Sequence, residues 1–304
     1  MSIRKPSARV VQAICAGAAA ALLATASPAV LATAAPAAPP NTVPCSESAL
    51  FAAITAANAG GGTLVLSPGC TYELSAPLPE ITNTVVINAR HSTITRDSAA
   101  SFGILSVGSS GDLTLRDATI TNGAAPDFGG GIANRGRLTV TGSAIRDNSA
   151  NFSGGIGGGT GSVTLIQRTN IMDNMANVNG GGVANDGDMT ITDSRIIGNH
   201  AGAVGGGAAN DGTLRITKSN VNDNTAGRAG GVANFTASFG TSSTTITNSN
   251  VNNNSSTFAP GGVLNARVNP NNPDGTVNLV NSRVRGNAPT NCAGSDITVP
   301  NCSG

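Results

Sequence analysis

The chain is poor in the residues that build an ordinary globular core. Its 304 residues include no tryptophan, one tyrosine and seven phenylalanines, whereas 40 are glycine. So much glycine with so few aromatic side chains argues against a conventional globular core. Charged residues make up only 11% of the chain, which argues against disorder caused by charge repulsion.

Charge of one sign is also lacking, since 17 basic residues stand against 16 acidic ones. Arg4, Lys5 and Arg9 belong to a segment that we expect to be removed, which leaves 14 basic and 16 acidic residues and a net charge near −2. This balance excludes a nucleic-acid partner bound by electrostatics. It also leaves no basic patch for anionic lipid.

The first 34 residues have the pattern of a secretory (Sec) signal peptide. A basic start precedes a short apolar run at 14–23, and Ala-Thr-Ala at 32–34 is a cleavage signal. The sequence predicts cleavage after Ala34, with cleavage after Ala26 as the alternative. The apolar run is too short and too rich in alanine for a membrane span. We therefore expect a secreted protein whose mature chain spans no membrane and begins with an Ala- and Pro-rich linker at 35–44.

Four cysteines lie beyond this segment, and they occur only towards the two ends of the remaining chain. A secreted protein can keep disulfides. Among the three possible pairings the sequence favours Cys45–Cys70 with Cys292–Cys302, which would close each end of the fold. Free or metal-bound thiols are the alternative.

A glycine-rich motif that ends in asparagine recurs along the chain. It reads GGGIAN at 129–134, GGGVAN at 180–185 and GGGAAN at 205–210, and shorter copies end at Asn234 and Asn265. A degenerate copy, GGIGGG, occupies 154–159. The copies recur about every 25 residues, and a fixed period of this length predicts a solenoid.

Aligning the copies places apolar residues in four columns. The second, third and fourth columns begin at Leu115, Ile120 and Ile132. Alternation with a period of two, as between the first and second columns, is typical of a strand with one buried face. The first column contains Leu113, Leu138, Val163, Met189, Leu214, Thr244 and Val277.

One coil cannot bury its own apolar residues, so successive coils must stack to form a continuous core. The sequence therefore predicts an all-β fold, a parallel β-helix with about three short strands per coil and about nine coils, as a single domain at 45–304. Coils would lie about 4.8 Å apart. A helical solenoid is excluded because the segments are short and rich in glycine and β-branched residues. A closed antiparallel barrel gives no reason for a fixed period.

Asparagine recurs at two corners of the predicted coil. It tolerates the left-handed backbone that a sharp corner needs, and stacked amides can bond to one another. We predict two structural ladders; two rows of polar ligands for a sugar or ion are the alternative. The first ladder contains Asn148, Asn174, Asn199 and Asn224, then Asn254 and Asn287, with Asn122 in the first regular coil. The second contains Asn134, Asn185, Asn210 and Asn234, then Asn265.

The ends of the array need covering, because an exposed strand edge invites aggregation. Residues 46–59 have the spacing of a short amphipathic helix, with Leu50, Ile54 and Ala57 on one face and Ser46 as N-cap. We expect this helix to cover the first coil. Inserts at 235–243 and 266–275 are predicted to project as loops at one corner.

These features resemble the pectin-lyase-like superfamily of secreted, right-handed parallel β-helix proteins. The glycine–asparagine repeats more narrowly resemble those of chlamydial polymorphic outer membrane proteins, although the FxxN motif of those proteins is replaced here by patterns such as Ile145 to Asn148. The segment CSESALFAAITAAN at 45–58 resembles the Cys-Ser-Leu-Arg-Glu-Ala opening of many bacterial extracellular repeat proteins. The resemblance covers about 45–302 and implies the handedness, but not the function, because this fold hosts enzymes, adhesins and surface rods.

Enzymes of this superfamily act on acidic polysaccharides, so the resemblance implies a catalytic alternative. Asp147 and Asp173 recur at equivalent places in adjacent coils and could share a Ca²⁺ ion, and Arg195, one coil further on, is the candidate base. A hydrolase would need two or three aspartates around one bond. The structural interpretation is that these aspartates help the corners to turn. A second charged column would consist of surface pairs, at Arg168, Asp193 and Lys218.

Two further patterns have ordinary structural explanations. Asp186-Gly187 and Asp211-Gly212 are turn signals. Outward threonine pairs such as Thr139 and Thr141 would suit ice binding, but strand propensity alone accounts for them. The leading hypothesis is a secreted, monomeric, non-catalytic β-helix without a cofactor that binds or presents a surface towards a polysaccharide, cell wall or cell-surface ligand. The alternative is a polysaccharide lyase or hydrolase for acidic glycans, and only this alternative would use Ca²⁺.

Overall fold

The chain folds as a parallel β-solenoid of about eight coils, close to the nine that the sequence predicts. The computed structural model describes residues 42–235, 241–268 and 274–304. The predicted signal peptide and most of the linker lie outside these ranges, as do parts of both inserts. Thr42 and Val43, at the end of the predicted linker, form the first strand and pair with Val65 and Leu66. The solenoid therefore begins three residues before Cys45.

Within the described ranges the chain forms one helix and many strands of two to thirteen residues. The N-terminal elements are β1 (Thr42–Val43), α1 (Glu47–Gly60), β2 (Gly62–Leu66), β3 (Thr71–Leu74), β4 (Thr84–Arg96), β5 (Leu105–Val107), β6 (Asp112–Thr121), β7 (Ala124–Phe128) and β8 (Ile132–Asn134). The central ones are β9 (Arg137–Thr141), β10 (Ala144–Arg146), β11 (Ser149–Phe152), β12 (Ile156–Gly158), β13 (Val163–Gln167), β14 (Asn170–Met172), β15 (Met175–Ala176), β16 (Val183–Asn185), β17 (Asp188–Thr192), β18 (Arg195–Ile197), β19 (His200–Val204) and β20 (Ala208–Asn210). The last are β21 (Thr213–Thr217), β22 (Asn220–Asn222), β23 (Thr225–Arg228), β24 (Val232–Phe235), β25 (Ser243–Thr247), β26 (Asn250–Asn252), β27 (Ser255–Phe258), β28 (Val263–Ala266), β29 (Thr276–Val280) and β30 (Arg283–Arg285).

Each regular coil contributes to three parallel sheets. The coil from β9 to β12, for example, places β9 and β10 in a first sheet of 17 strands, β11 in a second sheet of six and β12 in a third sheet of seven. The second sheet contains β7, β11, β15, β19, β23 and β27. The third contains β5, β8, β12, β16, β20, β24 and β28. Among the described residues, no helix is long and apolar enough to span a bilayer.

The predicted apolar columns form the core. Leu113, Leu115, Ile120 and Ile132, which head the four columns, are all fully buried and belong to one continuous apolar cluster. The glycines beside the fourth column are required by close backbone contact. A Cβ atom on Gly206 would lie 2.3 Å from the carbonyl oxygen of Thr225 in the next coil. No side chain fits there without displacing a strand.

The register of one strand differs from the prediction. The sequence alignment places Val163 and Leu165 in the core, but Val163 is exposed, and Thr164 and Ile166 are the buried pair, opposite Leu138 and Val140. The corner before β13 is two residues longer than the corner before β9, and a one-residue shift moves every side chain of a strand to the other face. Thr164 accepts a hydrogen bond from Nδ2 of Asn134, at 2.9 Å, which satisfies its inward hydroxyl.

The first asparagine ladder is a column of fully buried amides. In Asn199, Oδ1 accepts from the backbone N–H and from Nδ2 of Asn174, while Nδ2 donates to Oδ1 of Asn224 and to the carbonyl of Ile171. Asn122 does not belong to this ladder. Asn122 has a left-handed backbone, with φ 59°, and occupies the same corner position as Asp147 in the next coil, to whose carbonyl its N–H donates. Gly123 takes the ladder position, and its N–H donates to Oδ1 of Asn148.

The second asparagine ladder is continuous only from Asn185 onwards. Asn185 donates to Asn210 and Asn210 donates to Asn234, at 2.8 and 2.9 Å. Gly158 occupies the position between Asn134 and Asn185, so Asn134 bonds to Thr164 instead. Both ladders satisfy backbone and side-chain groups that would otherwise be buried without partners.

A third polar column, of serine and threonine, was not foreseen from the sequence. In Ser194 the hydroxyl donates to the carbonyl of Thr192 and accepts from the N–H of Thr169 in the preceding coil. The residues before this column have left-handed backbones, including Arg168, Asp193 and Lys218. The charged column therefore lies at a corner of the coil. The hydroxyl column contains Ser143, Thr169, Ser194, Ser219, Ser249 and Ser282.

Both ends are closed as the sequence predicts. Helix α1 begins after Ser46, whose hydroxyl accepts from the N–H of Ala49, and it buries Leu50, Ile54 and Ala57. The disulfides are Cys45–Cys70 and Cys292–Cys302. The segment that holds the second disulfide bonds to the last strands, for example through the N–H of Val263 and the carbonyl of Asn291.

Candidate functional site

The aspartates proposed for a lyase lie at equivalent corner positions in adjacent coils. Asp147 and Asp173 both have left-handed backbones, with φ 55° and 54°, and both side chains are exposed. The carboxylate of Asp147 pairs with Arg146 of its own strand, at 2.6 Å. The geometry therefore accounts for both aspartates as corner residues.

Arg195 is not brought to these carboxylates. It lies opposite Asn170 in the first sheet, three residues before the position of Asp173, and none of the ion pairs among the described residues joins it to an aspartate. Among the described residues, no three His, Cys, Asp or Glu side chains come together in a way that could hold a metal ion.

A different surface has the shape of a binding site. The outward residue at the centre of each strand of the third sheet is small in most coils, because Ala133, Gly157, Ala184, Ala209 and Ala233 stack in register. Ala133, Ala184 and Ala209 of this column line cavities that follow the coil axis, and we call the column the floor of a groove. Ser106 precedes it and Leu264 ends it. At its far end Ala233 is fully buried in a small apolar cluster with Leu264.

Two columns of larger residues form the walls. The first wall follows the ends of the second-sheet strands and includes Phe128, Phe152, Val204 and Arg228. The second wall follows the ends of the third-sheet strands and consists of Arg135, Gly159, Asp186, Asp211, Phe235 and Ala266. We call the space between these walls the axial groove.

The axial groove contains three adjoining cavities of about 350, 410 and 300 Å³. The first and central cavities share Asp127, Phe128 and Arg135, and the central and last cavities share Asn179 and Phe235. Solenoids characteristically bind ligands along such extended surfaces. The shared residues place the three cavities end to end along the axial groove.

Three of the seven phenylalanines line the central cavity. Phe128, Phe152 and Phe235 are all only partly buried, so their rings remain available to a ligand. The ring of Phe128 lies over the floor, since a Cβ atom on Gly157 would be 2.5 Å from its Cζ. The glycine at this floor position therefore makes room for the aromatic ring.

Two aspartates are stacked in the second wall of the central cavity. Asp186 and Asp211 directly follow Asn185 and Asn210, which are paired in register. Although the side chain of Asp186 remains exposed, partial withdrawal from solvent and then the negative charge of Asp211 raise its pKa. A carboxyl group with a raised pKa in a cleft is a candidate functional group.

A buried hydroxyl without a partner lies beside the floor. Ser153 is fully buried, and its Oγ is one of three buried side-chain atoms in the described residues that make no hydrogen bond. A Cβ atom on Gly180, which takes the same position in the next coil, would lie 2.7 Å from the Cβ of floor residue Ala184. The side chain of Ser153 is therefore directed at the floor residue of its own coil, Gly157.

In the sequence, Asp186-Gly187 and Asp211-Gly212 predict only turns. The feature that could have indicated a site is a negative charge directly after the motif asparagine in two successive copies of the repeat. It could be recognised only once the same corner was known to form the wall of a groove. The phenylalanines of the opposite wall come from another sheet, and no spacing in the sequence relates them to the aspartates.

Comparisons of the chain with models of known protein families, with curated proteins and with solved structures found no match.

Proposed function

We propose that this protein is an extracellular β-solenoid that binds a linear polysaccharide along the axial groove. The observation that carries the proposal is the continuity of three cavities over a floor of small residues between aromatic and polar walls. A polymer with a regular repeat can make similar contacts with each coil, because the coils themselves repeat about every 4.8 Å. The two disulfides are compatible with an extracellular location.

The lining of the groove supports a sugar ligand. Binding sites combine apolar and aromatic contact area with a small number of placed polar groups. The central cavity provides Phe128, Phe152 and Phe235 for the ring faces of sugars and Asp186, Asp211 and Arg135 for hydroxyl groups. Aromatic side chains give large contact areas at a low cost in conformational entropy.

The proposal is tested by blocking the floor. In Ala184→Phe a large ring would fill the central cavity, and we expect the affinity for a bound polysaccharide to fall at least about tenfold. The matched control is Thr190→Phe, in the same coil on the outward face of the first sheet. Binding is measured against soluble oligomers of glucose, glucosamine and galacturonate. Failure to bind any of them, or equal losses in both variants, would refute a glycan-binding groove.

A second candidate function is glycoside hydrolysis in the same groove. The raised pKa of Asp186 suits a general acid, and Asp211 stacks beside it as a second carboxylate. This candidate predicts new reducing ends that disappear in Asp186→Asn. The lyase alternative predicts instead a Ca²⁺-dependent unsaturated product from acidic glycans that disappears in Asp173→Ala. If neither product is released, the binding function stands as proposed.

A further inference from the structure

The centre of the axial groove carries an excess of negative charge. Asp127, Asp186 and Asp211 line the central cavity together with a single basic residue, Arg135. None of the ion pairs among the described residues involves Asp186. Partial withdrawal from solvent, and then the negative charge of Asp211, raises the pKa of this carboxyl, so a cation beside it would be stabilising.

The basic residues of the neighbouring cavity do not offset this charge. Arg228 pairs with Asp296 at 3.2 Å, and Arg267 pairs with Asp274 at 2.5 Å. Both guanidinium groups are thus already neutralised by carboxylates. The carboxylate of Asp186, which forms none of these ion pairs, therefore lies at the centre of the groove beside the phenylalanine rings.

An acidic glycan would be repelled at this position, because like charges in a partly desolvated site oppose each other. A neutral glycan would leave the carboxylate of Asp186 without a counter-charge. A sugar with a free amino group would bring an ammonium ion, which forms charge-assisted hydrogen bonds with carboxylates. The ring of the same sugar can pack against Phe128 and Phe152.

We propose that the axial groove selects a linear glycan with free amino groups, whose ammonium ions lie against the carboxylates of Asp186 and Asp211 while the sugar rings pack on the phenylalanines. This proposal rests on the proposed glycan-binding function and specifies its ligand. A basic extended peptide shares the charge but lacks the rigid, flat-faced rings for which the aromatic wall provides contact area. The glycan is therefore the occupant that matches both walls.

The experiment compares three ligands of equal length and one peptide. Glucosamine, N-acetylglucosamine and galacturonate hexamers and a lysine hexapeptide are titrated calorimetrically at about pH 6, where amines are protonated and ordinary carboxyl groups are ionised. We expect the glucosamine hexamer to bind at least about tenfold more tightly than the N-acetylated one, and the galacturonate hexamer to bind most weakly of the glycans.

The variant Asp186→Asn keeps the shape of the wall and removes one charge. It should weaken binding of the glucosamine hexamer about tenfold and leave that of the N-acetylglucosamine hexamer unchanged. The control is Asp193→Asn, the same substitution in the same coil but at the corner between β17 and β18, where asparagine also tolerates the left-handed backbone. It should change neither affinity, which excludes a general effect of net charge.

The possible failures are distinct. The N-acetylated hexamer could bind as tightly as the glucosamine hexamer and lose this binding in Ala184→Phe. That result would overturn this inference but keep the glycan-binding function. Binding of none of the glycans would overturn both. Equal affinity for the lysine peptide and the glucosamine hexamer, with the same loss in Asp186→Asn, would show that the groove recognises charge alone and would also overturn the inference.

Discussion

Single buried side chains hold the corners of the solenoid together. A coil that turns several times within about 25 residues directs backbone N–H and C=O groups into its interior, and each of these groups needs a partner. Asn199 satisfies groups in the coils before and after its own through both atoms of its amide. Ser194 does the same at another corner. The columns are structural, and this explains why they extend along the array irrespective of the groove.

Replacing Asn199 with alanine should strongly destabilise the fold. The substitution leaves the N–H of Asn174 and the carbonyl of Ile171 buried without these partners, at about 1–3 kcal/mol for each group. Chemical denaturation monitored by circular dichroism would measure the loss. The control is Asn177→Ala, where the side chain is exposed, and its stability should stay within about 0.5 kcal/mol of wild type. Equal stability of the two variants would contradict the structural role of the ladder.

Asp186 should make stability depend on pH in a defined direction. Because its pKa is raised above the usual 3.8, the folded chain binds a proton more tightly than the unfolded chain between these two values. Stability therefore falls as pH rises through this window. Asp186→Asn removes the effect, so its melting temperature should match wild type below about pH 3 and exceed it slightly at neutral pH. A constant difference at every pH would contradict this account, and Asp193→Asn again serves as control.

At the scale of elements, the three-residue strands obtain their stability from neighbours rather than from themselves. Strands such as β16 and β20 contribute one buried apolar residue and one buried asparagine, separated by the outward floor residue. In a solenoid each coil contacts mainly the coils before and after it. The terminal coils have only one such neighbour, and they are the ones that carry the helix α1 and the two disulfides.

Removing the C-terminal disulfide should destabilise one end selectively. The Cys292–Cys302 bridge closes a ten-residue separation, for which chain entropy predicts about 3 kcal/mol. In the double variant Cys292→Ser/Cys302→Ser, hydrogen exchange should accelerate in β27 and β28, which contact this segment. The central strands β17 and β18 serve as the internal control. Equal acceleration along the whole array would show instead that the solenoid unfolds as one unit.

At the scale of the whole molecule, stacking converts a local feature into a long surface. A single small outward residue per coil is a minor depression, but five of them in register join cavities that extend from Ser106 to Leu264, six coil spacings or about 29 Å. The aromatic and acidic walls belong to different sheets. Their juxtaposition depends on the complete coil, and the continuity of the groove depends on the number of coils.

The length of the groove predicts how affinity depends on ligand length. For the polysaccharide that binds most tightly, affinity should rise with each added sugar until the oligomer spans about 30 Å, and then level off. Calorimetry on an oligomer series from dimer to decamer would measure this. In Ala184→Phe, which blocks the centre, the rise should end at shorter oligomers. An affinity that is independent of length from the dimer onwards would point to a single pocket rather than a groove.

Much of the fold could be predicted because its determinants are local and periodic. The apolar columns, the asparagine ladders and the capping helix each depend on residue type at a fixed spacing, and a solenoid repeats the same environment in each coil. The errors occurred where the period breaks. Two extra residues before β13 changed which of Val163 and Thr164 points inward, and Asn122 was assigned one position too far along the corner.

The candidate site could not be found in the same way. Asp186 and Asp211 are 25 residues apart, and a pattern search recognises each only as part of a turn. The opposing Phe128 and Phe152 show no constant spacing from either aspartate, because the corners between the sheets differ in length from coil to coil.

The amino-acid sequence alone was sufficient for the parallel β-solenoid, its period and most of its buried columns, because side-chain polarity at each step dictates which residues face the core. It also favoured the cysteine pairing that the structure shows, because the four cysteines lie towards the two ends of the array. The axial groove and its charged centre arise only in the folded molecule. A residue's outward neighbours are set by the stacking of coils and by the angle between sheets, which bring together Asp186, Asp211 and the phenylalanines. These geometric relations are properties of the assembled array.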